Sequence, residues 1–580
     1  MTSQASIRPY LNQAYLLGLL MVAVGLTLSP FLMGMSQFWL VLVWLVDAFT
    51  PPFKGVGGIK HKLSQFIQNK AAVLLVAFYL MHVVGLLWTS DFQYALKDLR
   101  VKLPILVMPF VLSSMEPLDR KRFDFVMLVY VLSVFVATQF SFFRYVRHDY
   151  EDIREISHFI SHIRFCLNIV FSMAVVGYYM YKRGVSTRST TYKNQVPELA
   201  VAEHSRSVEG PSSKGMGQSQ PVPAFGIKVA MDRFLQWFLL LWFAYVVFIL
   251  EVLSGYVIFV AVVVVSAVYA FLQWRKGRGW RIAIGVLAVA VIAAIVSLVM
   301  FAIKPMIKVK PVDFSTLEKK TAQGNYYWHD TVCYPVEDGK YVGLYFNRIE
   351  LREAWAQRSD LPLEDTTSDG ESLEATLARY LTSKDLRKDA EGVMALTDED
   401  VHNIEQGVSN YNNWKHPGLR SRLSSTLFEY NLYRRFNNPN GGSLSQRIEF
   451  TRASFHIIGQ HPWFGVGTGD VPQAFAQAYD EIHSPLKEGF RFRAHNQYLA
   501  IAVAFGLVGL AFFLLVLFYP WFASKRNHTY LYLVFLCIIL LSMFPEDTLE
   551  TQAGVTLFAF FESLLLFAKP NSEPSQSLRT

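Results

Sequence analysis

Residues 234–273 read FLQWFLLLWFAYVVFILEVLSGYVIFVAVVVVSAVYAFLQ and contain one charged side chain, Glu251. The stretch divides near Glu251 into two apolar blocks. Folded as a helix, each block is long enough to cross a hydrocarbon core of about 30 Å. A membrane β-barrel has short alternating segments instead. The stretch therefore predicts two consecutive transmembrane helices.

The same pattern extends over most of the chain. Of its 580 residues, 52% are apolar and 17% are charged, whereas about 25% are charged in an average soluble domain. No small-residue cleavage site follows the first block, which we interpret as a span and not as a signal peptide. The predicted spans are 11–31, 35–49, 71–89, 103–115, 123–143, 163–181, 234–251, 255–273, 281–303, 495–519, 528–545 and 553–569.

We therefore expect an all-α polytopic membrane protein with about 12 transmembrane helices. The long segment between helices 9 and 10 predicts a large, mainly helical loop, because it contains aromatic residues, amphipathic stretches and turn signals. The predicted division is 1–183 (helices 1–6), 184–230 (disordered cytoplasmic linker), 231–303 (helices 7–9), 304–494 (periplasmic loop domain), 495–569 (helices 10–12) and 570–580 (cytoplasmic tail). The linker prediction follows from its Ser, Pro, Gly and Gln content.

Basic residues in the short connections indicate the orientation. Lysine and arginine clusters at 54–70, 120–122, 275–281 and 525–526 fall on one side if the count is twelve. That side is then the cytoplasm, and both termini lie there. The net charge of +8 is explained by this topology, so we expect membrane lipid and no nucleic acid as a partner.

The outer connections contain cations where the same rule predicts few. Lys102 precedes the fourth span, and Arg164 lies at a predicted membrane edge. Guanidinium groups bind phosphate in bidentate fashion, so such cations are candidates for holding the phosphate of a lipid-linked substrate. The alternative is local pairing with acids such as Asp98.

Residues 490–499 read FRFRAHNQYL and lead into the tenth predicted span. This places His495 at the membrane surface beside Arg491, Arg493 and Asn496. Histidine can act as a general base near neutral pH, and the arginines can stabilise a departing pyrophosphate. The alternative is that His495 and Asn496 only cap the helix and the arginines anchor lipid headgroups.

Two further segments surround this one. Residues 461–470, HPWFGVGTGD, predict a tight glycine turn, which is a weak phosphate-loop signal because it lacks the Lys-Ser/Thr pair. Residues 546–552, EDTLETQ, form an acidic outer connection that can orient the histidine, pair with the arginines or do neither. The three cysteines form no metal spacing or disulfide framework, and we expect a reaction without metal or cofactor.

Together these motifs resemble the signature of the O-antigen ligase and polymerase superfamily of the bacterial envelope. That signature has an arginine-bearing helix, a glycine turn and an HNxYL string that opens a transmembrane helix. Here the matching residues are Arg447, the turn at 461–469 and HNQYL at 495–499. The resemblance implies a metal-independent, inverting glycosyltransferase of lipopolysaccharide biosynthesis in the bacterial inner membrane.

By the same resemblance the donor is a glycan on undecaprenyl pyrophosphate, and the acceptor is a lipid A-core sugar or another glycan. His495 maps onto the proposed base and Arg447 onto a pyrophosphate-binding arginine. The family often has a Ser-Arg-Gly string that is absent here, since residues 253–256 read LSGY. A second arginine is therefore expected elsewhere, with Arg164 as the first candidate and Arg452, Arg491 or Arg493 as alternatives.

Other functions remain open at the level of sequence. An O-antigen or exopolysaccharide polymerase, or a protein O-oligosaccharyltransferase, would share the signature and the chemistry. A transporter of lipid-linked glycans would have broken helices, midspan charges or an internal repeat, of which the sequence has few signs. A non-enzymatic assembly or sensor protein would leave the HNxYL and glycine-turn combination unexplained.

Overall fold

A computed structural model describes residues 7–50, 58–147, 153–193, 233–274, 311–331, 335–368, 370–416, 418–523 and 529–569, with isolated positions between 293 and 309. The described part is almost entirely helical. Two short strands, β1 (Val336–Glu337) and β2 (Lys340–Tyr341), pair antiparallel.

Nine of the described helices lie before residue 275. They are α1 (Ile7–Leu28), α2 (Pro30–Phe49), α3 (Ile59–Gln68), α4 (Lys70–Val84), α5 (Phe92–Ser114), α6 (Arg120–Arg147), α7 (His162–Lys193), α8 (Arg233–Ile249) and α9 (Leu253–Trp274). Helix α7 continues into residues 184–193, which we predicted from composition to lie in a disordered linker, and the division of the chain into domains stays a prediction. No proline occurs between His162 and Pro197, so none interrupts this helix.

Eleven helices follow within the described ranges. They are α10 (Arg348–Trp355), α11 (Leu373–Ser383), α12 (Ala390–Met394), α13 (Asp398–Glu405), α14 (Tyr411–Lys415), α15 (Leu419–Phe436), α16 (Ser443–Gln460), α17 (Val471–Glu481), α18 (Gln497–Ala523), α19 (Tyr530–Ser542) and α20 (Gln552–Ser563). A 3-10 turn, Thr548–Glu550, lies between the last two. We call residues 543–551 the acidic connection.

Seven of the described helices are long and apolar enough to cross a membrane, namely α1, α2, α4 with its 3-10 extension, α6, α7, α9 and α18. Three shorter apolar helices cover 233–249, 530–542 and 552–568. The predicted span 103–115 is the second half of α5, and most of span 281–303 lies outside the described residues, as do 194–230, Cys333 and 570–580. The helical, multi-pass character is confirmed, and the count of twelve stays a prediction.

Two separate apolar cores hold the described chain together. The larger core lies between the long helices and extends from Tyr15 to Ala568. Large apolar side chains such as Phe31 and Leu87 remain exposed on the outside of this bundle, as expected for a surface in contact with lipid. The smaller core joins α10 to α13 around Trp355 and Tyr380, so the loop contains a folded domain of its own.

Helix α18 is broken at Gly506, where φ is 66° and ψ is −166°. The glycine turn docks at this break: the N–H groups of Val466 and Gly467 donate to the Val503 and Ala504 carbonyls at 3.0 and 2.9 Å. The N–H of Leu507 donates in return to the Pro462 carbonyl at 2.8 Å. These bonds satisfy backbone groups that the break leaves open, and they fix α16 and α17 against α18.

Candidate functional site

The acidic connection is tied to the start of α18. The Asn496 side-chain amide donates to the Phe544 carbonyl at 2.9 Å, and the Gln497 backbone N–H donates to the Met543 carbonyl at 2.9 Å. The Gln497 side-chain oxygen accepts the Leu549 N–H at 2.6 Å. Asn496 also caps α18, because its Oδ1 accepts the Leu499 N–H at 3.0 Å. The segment that carries His495 is therefore held beside Glu546 and Asp547.

His495 lies over the ring of Phe450, with ring centroids 5.3 Å apart, and its Nδ1 lies 3.9 Å from Oδ1 of Asp547. About a third of its side chain is exposed, so a substrate can reach it. Burial lowers the pKa of His495 below its ordinary value, and the charge of Asp547 opposes this effect. The charges of Arg447, Arg493 and Arg164 lower the pKa further. The imidazole is thus held neutral, the form that accepts a proton.

Arg447 and Arg164 both face Glu546. Arg447 Nη2 donates to Oε1 of Glu546 at 3.0 Å, and Arg164 Nη2 lies 3.9 Å from Oε2. Arg447 comes from α16 and Arg164 from the first turn of α7, so two helices deliver a guanidinium to one carboxylate. Burial raises the pKa of Glu546 above its ordinary value, and the two arginines only partly offset this shift.

Arg493 belongs to a buried network below the histidine. Glu550 accepts hydrogen bonds from Lys102 Nζ at 2.8 Å and from Arg493 Nη1 at 3.1 Å, and Lys102 also pairs with Asp98. Arg493 donates in addition to the Tyr94 hydroxyl at 2.9 Å. Burial alone would raise the pKa of Glu550, but the Lys102 and Arg493 charges bring it well below its ordinary range. The network joins α5 to the acidic connection.

Arg493 also links this network to the histidine, since its Nη2 lies 3.6 Å from Oδ2 of Asp547. Arg491 and Arg452 take other partners. Arg491 donates to the Leu486 carbonyl and to Asp480, and Arg452 donates to the buried Glu449. The structure does not bring these two arginines into the cluster, and we leave both out of the proposed site.

The glycine turn has its amides engaged within the protein. The N–H of Gly469 donates to the Thr89 hydroxyl at 3.1 Å, and that of Gly465 to the His461 carbonyl. Asp470 accepts three hydrogen bonds from the main chain and hydroxyl of Ser90 and the main chain of Asp91. Among the described residues, the turn therefore offers no ring of free amides for a phosphate, and its geometry is that of a structural clamp.

His495, Glu546 and Asp547 place one ligand atom each within 4.8 Å of one another, which is close enough to share a cation. Three arginines already face these two carboxylates. Each of the two carboxylates therefore already has an arginine beside it, and this positive charge disfavours a divalent ion. Metal independence stays a prediction, and this charge balance supports it.

We did not predict from the sequence the role of Glu550 or its ion pair with Lys102, although both residues lie in segments that contain candidate site residues. The sequence signal for this pair was Lys102, a cation immediately before a predicted span. A cation at the depth of the membrane needs an acidic partner. His82 was also missed. It lines a small cavity together with Lys102, Arg493 and Glu550, and its Nε2 is buried without a partner in the described part of the chain.

Fold and site together define a multi-pass helical membrane protein with a histidine, two carboxylates and three arginines gathered beside a large folded loop. Residues 417–514 match the family model described as O-antigen ligase. The matched segment carries Arg447, the glycine turn and His495, and it is similar to the O-antigen ligase family over these residues. The match supports a glycosyltransferase of the ligase and polymerase type. A search of curated proteins gave no significant match.

Proposed function

We propose that this protein is an inverting glycosyltransferase of the O-antigen ligase type. It transfers a glycan from undecaprenyl pyrophosphate to a sugar hydroxyl of the lipid A-core at the periplasmic face of the inner membrane. The observation that carries the proposal is the approach of Arg447, Arg164 and His495 to adjacent residues, Glu546 and Asp547. A base and a cation pair for a leaving group thus lie side by side.

In the proposed reaction His495 removes the proton from the acceptor hydroxyl. The oxygen attacks the anomeric carbon of the donor sugar from the face opposite the pyrophosphate, and the bond between that carbon and the pyrophosphate oxygen breaks. One C–O bond forms, one breaks and the configuration inverts. The leaving pyrophosphate keeps the electron pair, and Arg447 and Arg164 stabilise its growing charge.

Asp547 supports the base in this scheme. When His495 takes up a proton, the imidazolium gains a carboxylate 3.9 Å from Nδ1, and this distance can shorten when substrate closes the site. Arg493, held by Glu550, keeps Asp547 in place. These residues position the base and do not touch the substrate.

A polymerase that adds repeats to a growing glycan, or a protein O-oligosaccharyltransferase, would use the same residues on another acceptor. The described residues 311–416 contain a folded domain whose core is separate from that of the membrane bundle. We propose that this domain selects the acceptor. The acceptor therefore decides between these functions.

The test is complementation of a deletion strain with wild type, His495→Ala and the control His402→Ala, which changes an exposed histidine in α13. Lipopolysaccharide banding, the pool of undecaprenyl-linked glycan and membrane abundance are measured together. We expect His495→Ala to lose long-chain lipopolysaccharide and to accumulate polymerised donor at normal abundance. Accumulation of single repeats would indicate a polymerase, and wild-type behaviour would overturn the proposed mechanism.

A further inference from the structure

Glu546 occupies the position between the two arginines where the proposed function needs an anion. Its carboxylate is 9% exposed and receives one hydrogen bond, from Arg447. No other described side chain donates a hydrogen bond to it. The two guanidinium groups are therefore what holds this side chain in place, and an anion with more oxygens can compete for them.

Glu546 does not accept hydrogen bonds from all the donor groups of Arg164. Its Nη1 donates to Ser161, its Nη2 is 3.9 Å from the carboxylate, and its Nε is buried without a partner in the described part of the chain. A buried donor without an acceptor is costly. A structural arginine–carboxylate pair usually forms two short parallel hydrogen bonds. The geometry here is that of an arginine with capacity for a further acceptor.

A diphosphate supplies the additional hydrogen-bond acceptors and negative charge that Glu546 lacks. It offers several oxygens and more than one negative charge, so it can satisfy Nε and Nη2 of Arg164 together with Arg447. After glycosyl transfer the lipid diphosphate ends in a free phosphate and carries more charge than the donor did. The same arginines then bind the product more tightly than the substrate, which hinders release.

We propose that Glu546 is an exchange carboxylate for the diphosphate. It holds Arg447 and Arg164 in place before the donor binds, moves aside for the donor, and competes with the lipid diphosphate after transfer so that the product leaves. The inference rests on the proposed function. It assigns to Glu546 a role in product release, distinct from catalysis by His495.

The opposing explanation is that Glu546 only braces the arginines, and the two explanations predict opposite effects of one substitution. In Glu546→Gln the side chain keeps its size and a hydrogen-bond acceptor but loses its charge. If Glu546 competes with the product, the neutral variant binds lipid diphosphate more tightly. If Glu546 braces the arginines, the variant binds it more weakly.

The experiment measures the Kd of undecaprenyl diphosphate for the purified full-length protein in detergent. The proteins are wild type, Glu546→Gln, Arg447→Gln and the control Glu481→Gln, a carboxylate that pairs with His456 outside the site. We expect Glu546→Gln to bind about tenfold more tightly than wild type, because removal of a like charge favours an anion. Its steady-state rate should fall while the single-turnover rate is kept, and Glu481→Gln should match wild type.

Unchanged or weaker binding by a folded Glu546→Gln would overturn the inference and leave the proposed function intact, provided that Arg447→Gln still loses affinity. Equal binding by wild type and Arg447→Gln would overturn both, since the arginines would then not hold the diphosphate. Thermal unfolding identifies a variant that fails to fold. Glu546→Ser, which removes the charge and shortens the side chain, is then measured in its place.

Discussion

His495 has a left-handed backbone conformation, with φ of 44°. This conformation costs a residue other than glycine about 1 kcal/mol or more, and it persists only where the surroundings fix it. Here the ring of Phe450 packs on the imidazole and the Asn496 cap begins α18 directly afterwards. The strained residue immediately precedes the Asn496 cap, and its side chain is placed beside Asp547 and not along the helix.

The pH dependence of the rate follows from the charges around His495. Asp547 raises the pKa of the imidazole and Arg447 lowers it. A base works in its neutral form, so the rate falls as the pH drops through this pKa. In Asp547→Asn we expect the acidic limb of the pH–rate profile to move to lower pH and the maximal rate to fall at least about tenfold.

Arg447→Gln should move the same limb to higher pH, because it removes a charge that disfavours the imidazolium. The two variants are compared with wild type in a transfer assay at saturating donor between pH 5 and 8. Limbs that shift in the same direction, or not at all, would mean that His495 is not the group that titrates.

The arginines that already face Glu546 and Asp547 predict that the reaction needs no divalent ion. Transfer by purified protein after treatment with EDTA, followed by dialysis, should keep its rate within about twofold, since carboxylates that already face arginines bind a dication poorly. Added Mg²⁺ or Ca²⁺ should not restore or raise it. A loss that one of these ions reverses would instead assign a metal to His495, Glu546 and Asp547.

At the scale of elements, α5 and the acidic connection are joined by a buried ion network. Lys102 is 2% exposed and contacts both Asp98 and Glu550. Lys102→Ala leaves Asp98 buried without its cation and Glu550 with Arg493 alone, so we expect a loss of about 3–5 kcal/mol in the free energy of unfolding. Lys97→Ala, an exposed position on the same helix, should change it by less than about 0.5 kcal/mol. Thermal unfolding of both variants in detergent measures the difference, and equal losses would contradict the role of the network.

The second feature that holds the site in place is the break in α18, where the glycine turn docks. A Cβ at Gly506 would lie 2.3 Å from the main chain of Trp463, and the φ of 66° disfavours alanine. Gly506→Ala should therefore destabilise the protein by at least about 2 kcal/mol and lower activity by displacing the glycine turn. Gly459→Ala in α16 has open space around its Cβ and should be neutral or slightly stabilising. A folded, fully active Gly506→Ala would show that the docked turn is dispensable.

Local features of the chain were predictable and contacts between distant segments were not. The predicted span 123–143 lies within α6 because the length of an apolar block is a local property. Lys102 and Glu550 are 448 residues apart, and no pattern in either segment identifies the partner. The docking of the glycine turn at the Gly506 break was equally unpredictable from the sequence, because an isolated glycine is common in transmembrane helices.

At the scale of the whole molecule, the candidate site lies where the membrane bundle meets the folded loop. The bundle core contains residues from α16, α17 and α18, such as Phe450, Phe475 and Phe513, whereas α10 to α13 form their own core. The site is thus built on the rigid bundle. The domain formed by α10 to α13 has a core separate from this bundle, and its position on the outer side is a prediction from charge.

Orientation is testable with two single-cysteine variants in a background without Cys166, Cys333 and Cys537. Met394→Cys lies at an exposed position of the loop domain, and Gln68→Cys lies at the exposed end of α3. We expect a membrane-impermeant maleimide to label Met394→Cys in spheroplasts and Gln68→Cys only after permeabilisation, because the basic connections at 54–70 and 120–122 remain inside. The reverse pattern would place His495 and its arginines in the cytoplasm and exclude the proposed periplasmic transfer. Labelling of both positions in intact spheroplasts would mean that the number of spans between them is not the odd number that twelve helices require.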